Sequence, residues 1–303
     1  MACFLGLKSV VYFKSVIGAK FIALMFSVLS LQGCANSTFF SPSQSAELNP
    51  EVRWLASQSG NDIAYLWLPT NHAIAKGAVI HFHGNSGHME ETKEKVDWLT
   101  EHGYDVMVFD YSGFGHSSGQ VGDKAAYQDA TSILHYIEAL KAKSDIPVYT
   151  VATSTGGNIF LRAWADNPIE IDGIIIDSSF TSYVDTAEHV VEQGLFGELY
   201  SWMVHVVMRD DYAANQVADT LPIAPSLVLH CEQDKVVPIE FGEGIYHQLE
   251  GEKEFWRLTE CKHARGLTTE YPEYQARLVN WLQKTAPDYP AEQAISGAVL
   301  AKN

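Results

Sequence analysis

Basic residues are scarce in this chain. Its 303 residues include 20 lysines and arginines against 37 aspartates and glutamates, which gives a formal net charge of −17. A surface this acidic repels the phosphates of nucleic acids and other polyanions. The composition therefore predicts no nucleic-acid partner, and it says nothing about chemistry.

The N-terminus lacks an apolar run long enough for a comfortable membrane span. Its apolar run covers residues 21–31 and follows Lys8, Lys14 and Lys20. A basic stretch followed by a short apolar stretch is typical of a targeting segment. We therefore exclude residues 1–33 from the folded domain.

Leu31-Gln32-Gly33-Cys34 follows directly. It resembles a bacterial lipobox, in which the cysteine is lipidated and becomes the mature N-terminus. This resemblance implies a lipoprotein signal peptide over residues 1–33, lipidation at Cys34, and an exported protein anchored in the bacterial envelope and facing the periplasm. A plain signal peptide and an uncleaved N-terminal anchor are the alternatives. Residues 34–50 are rich in serine, asparagine and proline and predict a flexible tether.

Cysteines are few, four in all. If Cys3 is removed with the signal peptide and Cys34 is lipidated, only Cys231 and Cys261 remain. A disulfide between them is possible in an oxidising compartment. Two buried thiols that merely pack are the alternative.

The chain has no internal repeat and no sign of a second domain. Hydrophobic residues make up 47% of it, which excludes a disordered chain and suits one large core. Apolar strands alternate with helical patterns over residues 51–286, and the strands are apolar without alternation. This pattern predicts an α/β fold with a mostly parallel central sheet and helices on both faces. The predicted strands are 52–58, 63–68, 78–83, 105–110, 148–153, 173–177, 226–230 and 254–258.

A short helical insertion is predicted after the sixth strand, within residues 182–222. Two amphipathic helical pieces occupy it, about 184–193 and 198–208. Two interpretations stay open: a mobile lid over an apolar site, and helices that pack on the edge of the sheet. Residues 287–303 carry weak signals and are predicted to form a C-terminal tail.

Polar motifs follow several predicted strands at their carboxyl ends, where ligands bind in parallel sheets. Ser154 lies in a small-residue turn between an apolar strand and a helix, and such a bend exposes the hydroxyl. A serine nucleophile needs a base, and the base needs an orienting acid. His263 is the predicted general base and acid, and Asp234 is the predicted orienting acid. Asp177, at another strand end, is the competing candidate for that acid.

The tetrahedral intermediate of such a reaction needs hydrogen-bond donors for its oxyanion. Backbone N–H groups of Asn85 and Thr155 are the predicted donors, with Ser86 as the alternative to Asn85. Four residues in loops at the same edge of the sheet are candidates for the substrate pocket: His83, Ser86, His88 and Tyr111.

Together these motifs resemble the α/β-hydrolase superfamily, and within it the serine aminopeptidase-like branch, which includes esterases and thioesterases. The resemblance covers residues 79–282. It is carried by the turn at 83–87, the Asp-Tyr-Ser-Gly-Phe-Gly run at 110–115, the turn at Ser154, and Asp234 followed by Val-Pro at 237–238. It implies a triad of Ser154, Asp234 and His263, with no metal and no organic cofactor.

Two residues depart from the pattern of that branch. Ala152 stands where the first glycine of Gly-x-Ser-x-Gly is usual, and Ser112 stands where an arginine is common. Ala152 adds one methyl group to a crowded turn. Ser112 removes a structural ion pair and leaves the triad intact.

Three functions are compatible with these residues. The first is a serine hydrolase that cleaves carboxylic esters or thioesters of a small acyl substrate through an acyl-enzyme, held at the membrane by its N-terminal lipid. The second is a peptidase or amidase with the same triad. The third is a non-catalytic envelope protein that uses the fold to bind. The sequence specifies neither the acyl length nor the oligomeric state.

Overall fold

A computed structural model describes residues 39–45, 49–194 and 197–287, with the backbone alone for 197–200. The predicted signal peptide, Cys34 and nearly all of the C-terminal tail lie outside these residues. Within the described ranges, no helix combines the length and the apolar character needed to cross a membrane.

Ten strands are described. They are β1 (Ser41–Pro42), β2 (Arg53–Ala56), β3 (Asp62–Leu68), β4 (Gly77–Phe82), β5 (Ser86–Gly87), β6 (Tyr104–Phe109), β7 (Val148–Thr153), β8 (Gly173–Asp177), β9 (Ser226–Cys231) and β10 (Lys253–Leu258). Eight of them form one sheet in the order β10-β9-β8-β7-β4-β6-β3-β2, and β1 pairs with β5. The strands from β10 to β6 are parallel, while β3 runs antiparallel to β6 and forms a hairpin with β2.

The helices follow the strands along the chain. They are α1 (Met89–Thr92), α2 (Asp123–Lys141), α3 (Thr155–Asp166), α4 (Tyr183–Glu192), α5 (Gly197–Val207), α6 (Ile239–Gln248) and α7 (Pro272–Thr285), with 3₁₀ segments at Lys93–Lys95, Asp97–His102 and Ala214–Thr220. From β6 onward, each strand is followed by one helix, except β8, which is followed by two. The predicted mostly parallel sheet is confirmed.

The sheet is buried on both faces, because side chains that alternate along each central strand enter two different cores. In β8, Ile174 and Ile176 join the cluster that contains residues of α2 and α3. Ile175, between them, joins the cluster that contains residues of α7. All three are fully buried. This double burial explains why the central strands are apolar without alternation.

The predicted tether over residues 34–50 needs a correction. Residues 39–45, here called the N-terminal strap, pack against the domain. Phe40 is buried and packs edge-on against Phe114, with ring centroids 6.2 Å apart. Phe39 makes similar contacts with Phe180 and Tyr183, at 5.7 and 5.3 Å. Burying two adjacent phenylalanine rings is favourable. This gain holds the segment against the domain although most of its residues are polar.

Main-chain pairing also holds the strap. In the short parallel pair of β1 with β5, the Ser41 amide donates to the Asn85 carbonyl at 2.7 Å and the Ser43 amide donates to the Gly87 carbonyl at 3.1 Å. The Asn85 side chain returns a hydrogen bond to the Phe39 carbonyl at 2.9 Å. The strap is thus fixed to the turn that follows β4.

Ser112, which replaces the usual arginine, joins a network of neutral donors around one buried carboxylate. Asp129 of α2 accepts from the Ser112 amide at 2.7 Å and from the Ser59 hydroxyl at 2.8 Å. Asn61 donates to the Ser112 hydroxyl at 2.9 Å. Hydrogen bonds in place of an ion pair therefore connect the β2–β3 turn with α2.

Candidate active site

Ser154 lies between β7 and α3 in a backbone conformation that side chains rarely adopt. Its φ is 53° and its ψ is −124°. Such a conformation costs free energy and persists only where its surroundings impose it. Here the Ser154 amide donates to the Asp177 carbonyl at 2.8 Å, and the Ser179 hydroxyl donates to the Ser154 carbonyl at 2.6 Å. This is the sharp strand-to-helix turn that the sequence predicts to expose the Ser154 hydroxyl.

Two glycines after Ser154 allow the close packing of this turn. A Cβ on Gly156 would lie 2.2 Å from the Phe82 carbonyl oxygen, and one on Gly157 would lie 2.3 Å from the Ser179 hydroxyl. Ala152, by contrast, lies within β7 and pairs with Phe82 and Ile176 in the sheet. Its methyl group is fully buried there. The missing first glycine is therefore accommodated in ordinary strand geometry.

The structure brings Ser154, His263 and Asp234 together although they are far apart in the chain. Nε2 of His263 lies 2.9 Å from Oγ of Ser154, and Nδ1 lies 2.7 Å from Oδ2 of Asp234. Both distances are within hydrogen-bond range. Because the carboxylate accepts at Nδ1, the neutral imidazole carries its proton there and leaves Nε2 to accept from the serine hydroxyl.

Asp234 is held in its ionised form. Burial opposes ionisation, but hydrogen bonds from His230, His263 and the Val237 amide outweigh it and hold the pKa of the Asp234 carboxyl well below its usual range. Its other oxygen accepts from the amides of Val236 and Val237 at 2.8 and 3.0 Å. The carboxylate can therefore stabilise a positive charge on His263.

His230 is a site residue that the sequence analysis missed. It is fully buried at the end of β9, and its Nε2 lies 2.9 Å from the Val237 carbonyl and 3.5 Å from Oδ2 of Asp234. Both neighbours are acceptors, so Nε2 carries a proton. Its place four residues before Asp234, in an otherwise apolar strand, was the available signal.

Asp177, the competing acid, has a different neighbourhood. Its Oδ1 accepts from the Ser178 hydroxyl at 2.9 Å, and burial raises the pKa of its carboxyl. The ring nitrogens of His263 face Asp234 and Ser154 at hydrogen-bond distance. The geometry therefore favours Asp234 as the orienting acid.

The loop that carries His263 is fixed from two sides. The Ala264 amide donates to the Ser178 hydroxyl at 3.2 Å, and the Lys95 ammonium donates to the Ala264 carbonyl. Burial lowers the pKa of Lys95. In addition, a disulfide joins Cys231 and Cys261 at the ends of β9 and β10. It connects the loop of Asp234 with the loop of His263.

A cavity of about 330 Å³ opens beside Ser154. Asn85 and Thr155 line it, as predicted for residues that face the substrate. Helix α4 supplies one wall, so the insertion forms part of the cavity. Its lining residues are Phe39, Asn85, Ser154, Thr155, Phe180, Thr186, Ala187, Val190, Val191, Met208, Val236 and Val237.

The four predicted pocket residues do not line this cavity. His83 is buried and packs against Tyr111 with the rings tilted and their centroids 4.7 Å apart, and burial lowers the pKa of His83 to about 4. Tyr111 is buried as well. Ser86 lies in β5 against the strap, and His88 approaches Glu91 at 3.4 Å. The prediction missed that a loop at the carboxyl ends of the strands also needs buried residues that support it, and His83 and Tyr111 have that role.

No cluster of three or more metal-binding side chains occurs in the part of the chain that the structure describes.

Comparison with known proteins agrees with this fold. The model of the serine aminopeptidase S33 family matches residues 73–209. The Escherichia coli O157:H7 protein named uncharacterized protein YfhR is 28% identical over 218 residues, which cover 71% of this chain and 72% of that protein. Lysophosphatidylserine lipase ABHD12 of Mus musculus is 29% identical over 209 residues, covering 65% of this chain and about half, 51%, of the lipase.

Two solved structures share the architecture. Esterase Pf2001 of Pyrococcus furiosus superposes with a TM-score of 0.62 at 18% identity, covering 81% of this chain and 97% of the esterase. XC6422 of Xanthomonas campestris, described as an α/β serine hydrolase without lid, gives 0.56 at 18% identity, covering 83% and 99%. The chain has the α/β-hydrolase fold. Together with the matched family model, the relatives support an α/β serine hydrolase.

The close packing at Gly156 leads to a stability prediction. We expect Gly156→Ala to lower the free energy of unfolding by about 1 to 3 kcal/mol, because the added methyl group meets a main-chain oxygen. The matched control is Gly244→Ala in α6, where a Cβ meets nothing within 4 Å. That change should raise stability by about 0.5 to 1 kcal/mol. Urea unfolding of both variants measures the two effects, and equal stabilities would contradict the packing argument.

Proposed function

We propose that this protein is a serine hydrolase that cleaves carboxylic ester or thioester bonds through an acyl-enzyme on Ser154. The observation that carries the proposal is the position of His263, within hydrogen-bond distance of Ser154 on one side and Asp234 on the other. A protein that only binds has no need of this arrangement, so the non-catalytic alternative is disfavoured.

In the first half of the reaction, Oγ of Ser154 attacks the carbonyl carbon while Nε2 of His263 takes the hydroxyl proton. Asp234 keeps the imidazole in the correct tautomer and stabilises the imidazolium. The tetrahedral intermediate then collapses, and His263 gives the proton to the leaving alcohol or thiol. The acyl group stays on Ser154.

The oxyanion would be stabilised by main-chain donors of Thr155 and Asn85, both in the cavity wall. Thr155 is the first residue of α3, and the first amides of a helix have no acceptor inside it. The Asn85 side chain is engaged with the strap, so we assign the oxyanion contact to its backbone N–H. Ser86 is absent from the cavity wall, which favours Asn85 over it.

In the second half, a water molecule attacks the acyl carbonyl. His263 accepts a proton from that water as the bond forms and returns it to Oγ of Ser154 as the acid product leaves. The same donors stabilise the second tetrahedral intermediate. Charge and protons balance within the three side chains and the water.

The character of the cavity favours an acyl substrate over a peptide. Its described wall contains no charged side chain. An aminopeptidase recognises the ammonium group at the end of its substrate, which an acidic side chain best accommodates. The apolar wall instead suits a hydrocarbon chain, and one relative is named as a lipase of lysophosphatidylserine. A peptidase or amidase with the same triad remains the second candidate.

We also propose that the protein is exported and held in the cell envelope by a lipid on Cys34, facing the periplasm. The support is the order of lysines, apolar run and Leu-Gln-Gly-Cys at residues 31–34. The disulfide between Cys231 and Cys261 agrees with an oxidising compartment.

Replacement of the nucleophile tests the chemistry. Ser154→Ala should lower turnover of p-nitrophenyl butyrate by about 10⁴ to 10⁶-fold and abolish labelling by a fluorophosphonate probe. Ser144→Ala alters a buried serine just before β7, at the amino ends of the strands, and should keep both the turnover and the labelling. Labelling of Ser154→Ala would refute an activated Ser154. Wild-type turnover of aminoacyl p-nitroanilides, with none of esters or thioesters, would establish the peptidase instead.

The two candidate acids are separated by a pair of isosteric changes. Asp234→Asn should lower kcat by about 10⁴-fold, since an amide favours the wrong imidazole tautomer. Asp177→Asn should stay within a few-fold of wild type. Steady-state kinetics with p-nitrophenyl butyrate checks both. The reverse ranking would assign the acid to Asp177.

Lipidation is tested in cells. Radiolabelled palmitate should enter the wild-type protein and Ser154→Ala equally, and it should not enter Cys34→Ser. The Ser154 variant shows that the label is an anchor and not an acyl-enzyme. Label that persists in Cys34→Ser, or wild-type protein without label, would contradict the lipoprotein assignment.

A further inference from the structure

The N-terminal strap ends at the active-site cavity. Phe39, the first described residue, is part of the cavity wall. Cys34 lies five residues upstream, and five extended residues span at most about 18 Å. Whatever Cys34 is attached to therefore lies within about 18 Å of Phe39. An uncleaved apolar run ending at Leu31 would lie within about 29 Å.

This exit point is fixed. Besides the pairing of β1 with β5, the Gly115 amide donates to the Ser43 carbonyl at 2.9 Å, and the Ser43 hydroxyl donates to Glu91 at 2.9 Å. The Gln44 side chain donates to the Gly113 carbonyl at 3.0 Å. An anchor upstream of the strap therefore holds the domain by the side that carries the cavity.

The rim of the cavity is apolar and open to solvent. Val190 of α4 and Val236, in the loop after β9, both line the cavity, yet they are 53% and 48% exposed. The Gln193 side chain donates to the Lys235 carbonyl at 3.3 Å. This hydrogen bond connects the end of α4 with the loop after β9, and these are the segments that carry the two valines.

Helix α5 carries further exposed apolar side chains next to α4. It packs along α4, and His205 approaches Glu188 at 3.1 Å across the pair. Trp202, Met203 and Val206 are 62%, 43% and 41% exposed. Residues three and four apart share one side of a helix, so these side chains form a single stripe. Met208, just beyond the helix, returns to the cavity wall.

Exposed apolar side chains are concentrated here. Of the eight large ones exposed in the described ranges, five lie on this surface, which we call the apolar rim: Val190, Trp202, Met203, Val206 and Val236. Single exposed apolar residues are ordinary, but a cluster beside a cavity marks an interaction site. Tryptophan with aliphatic neighbours is the composition found where helices lie in a membrane interface.

We propose that the apolar rim docks on the bilayer that holds the N-terminus, and that the substrate is a long-chain acyl lipid that enters the cavity from that bilayer. The occupant is a bilayer because the strap would hold the proposed membrane anchor close to the cavity that Val190 and Val236 line. The protein's net charge of −17 makes electrostatic attraction to anionic lipid an unsuitable driving force, so docking depends on apolar burial. This inference rests on the proposed hydrolase activity and membrane anchor.

The test uses the full chain reconstituted in phosphatidylcholine vesicles and two esters. The variant Trp202→Gln/Met203→Gln removes exposed rim side chains and uses a residue compatible with a helix. The matched control, Ile74→Gln/Ile223→Gln, removes two exposed isoleucines. They precede β4 and β9, at the amino ends of the strands and away from the cavity. The substrates are soluble p-nitrophenyl butyrate and p-nitrophenyl palmitate dissolved in the vesicles.

We expect the rim variant to hydrolyse the butyrate as wild type does and the vesicle-bound palmitate about tenfold more slowly. The control should match wild type on both. An unchanged palmitate rate would overturn the inference, and so would an equal loss on both esters, since the rim would then act on catalysis. Wild-type protein inactive on both esters would instead refute the proposed hydrolase.

Quenching of tryptophan fluorescence by brominated phosphatidylcholine provides a readout that does not depend on hydrolysis. The quenched fraction should be smaller in the rim variant than in wild type and in the control. Equal quenching in all three proteins would show that the rim stays away from the bilayer.

Discussion

The strained backbone at Ser154 is the constraint on which the rest of the site depends. A residue with a side chain adopts a φ of 53° only when its neighbours impose it. The Asp177 carbonyl and the Ser179 hydroxyl do so here, from β8 and the segment after it. Because β8 lies between β7 and β9 in the sheet, the same packing that bends the chain at Ser154 sets the distance to the loops of Asp234 and His263.

The sheet and the positions of the three triad residues could be predicted from the sequence. The unbroken apolar runs predicted a sheet buried on both faces, and their carboxyl ends predicted where Ser154, Asp234 and His263 would lie. The pocket residues could not be predicted from the sequence. Residues that face a cavity and residues that support a loop both occur just after a strand, so their position in the chain does not distinguish them. His83 and Tyr111 are buried and pack against each other. The strap was missed because two phenylalanines stand in a segment whose overall composition is polar.

The strap also connects the proposed membrane anchor with the candidate active site. It pairs with the turn that contains Asn85, and Phe39 forms part of the cavity wall. A segment that composition alone predicts as a tether is therefore part of the candidate active site. If Cys34 carries a lipid, the membrane and the nucleophile are connected by a short path through ordered backbone, and the apolar rim lies along that path.

The central claim is that Ser154 becomes covalently acylated. The most direct measurement is mass spectrometry of the protein quenched in acid during turnover of p-nitrophenyl butyrate. The account predicts one butyryl group per chain, located by peptide mapping on Ser154. An adduct on another residue would contradict the account. A burst of p-nitrophenol without any adduct on the protein would contradict it as well.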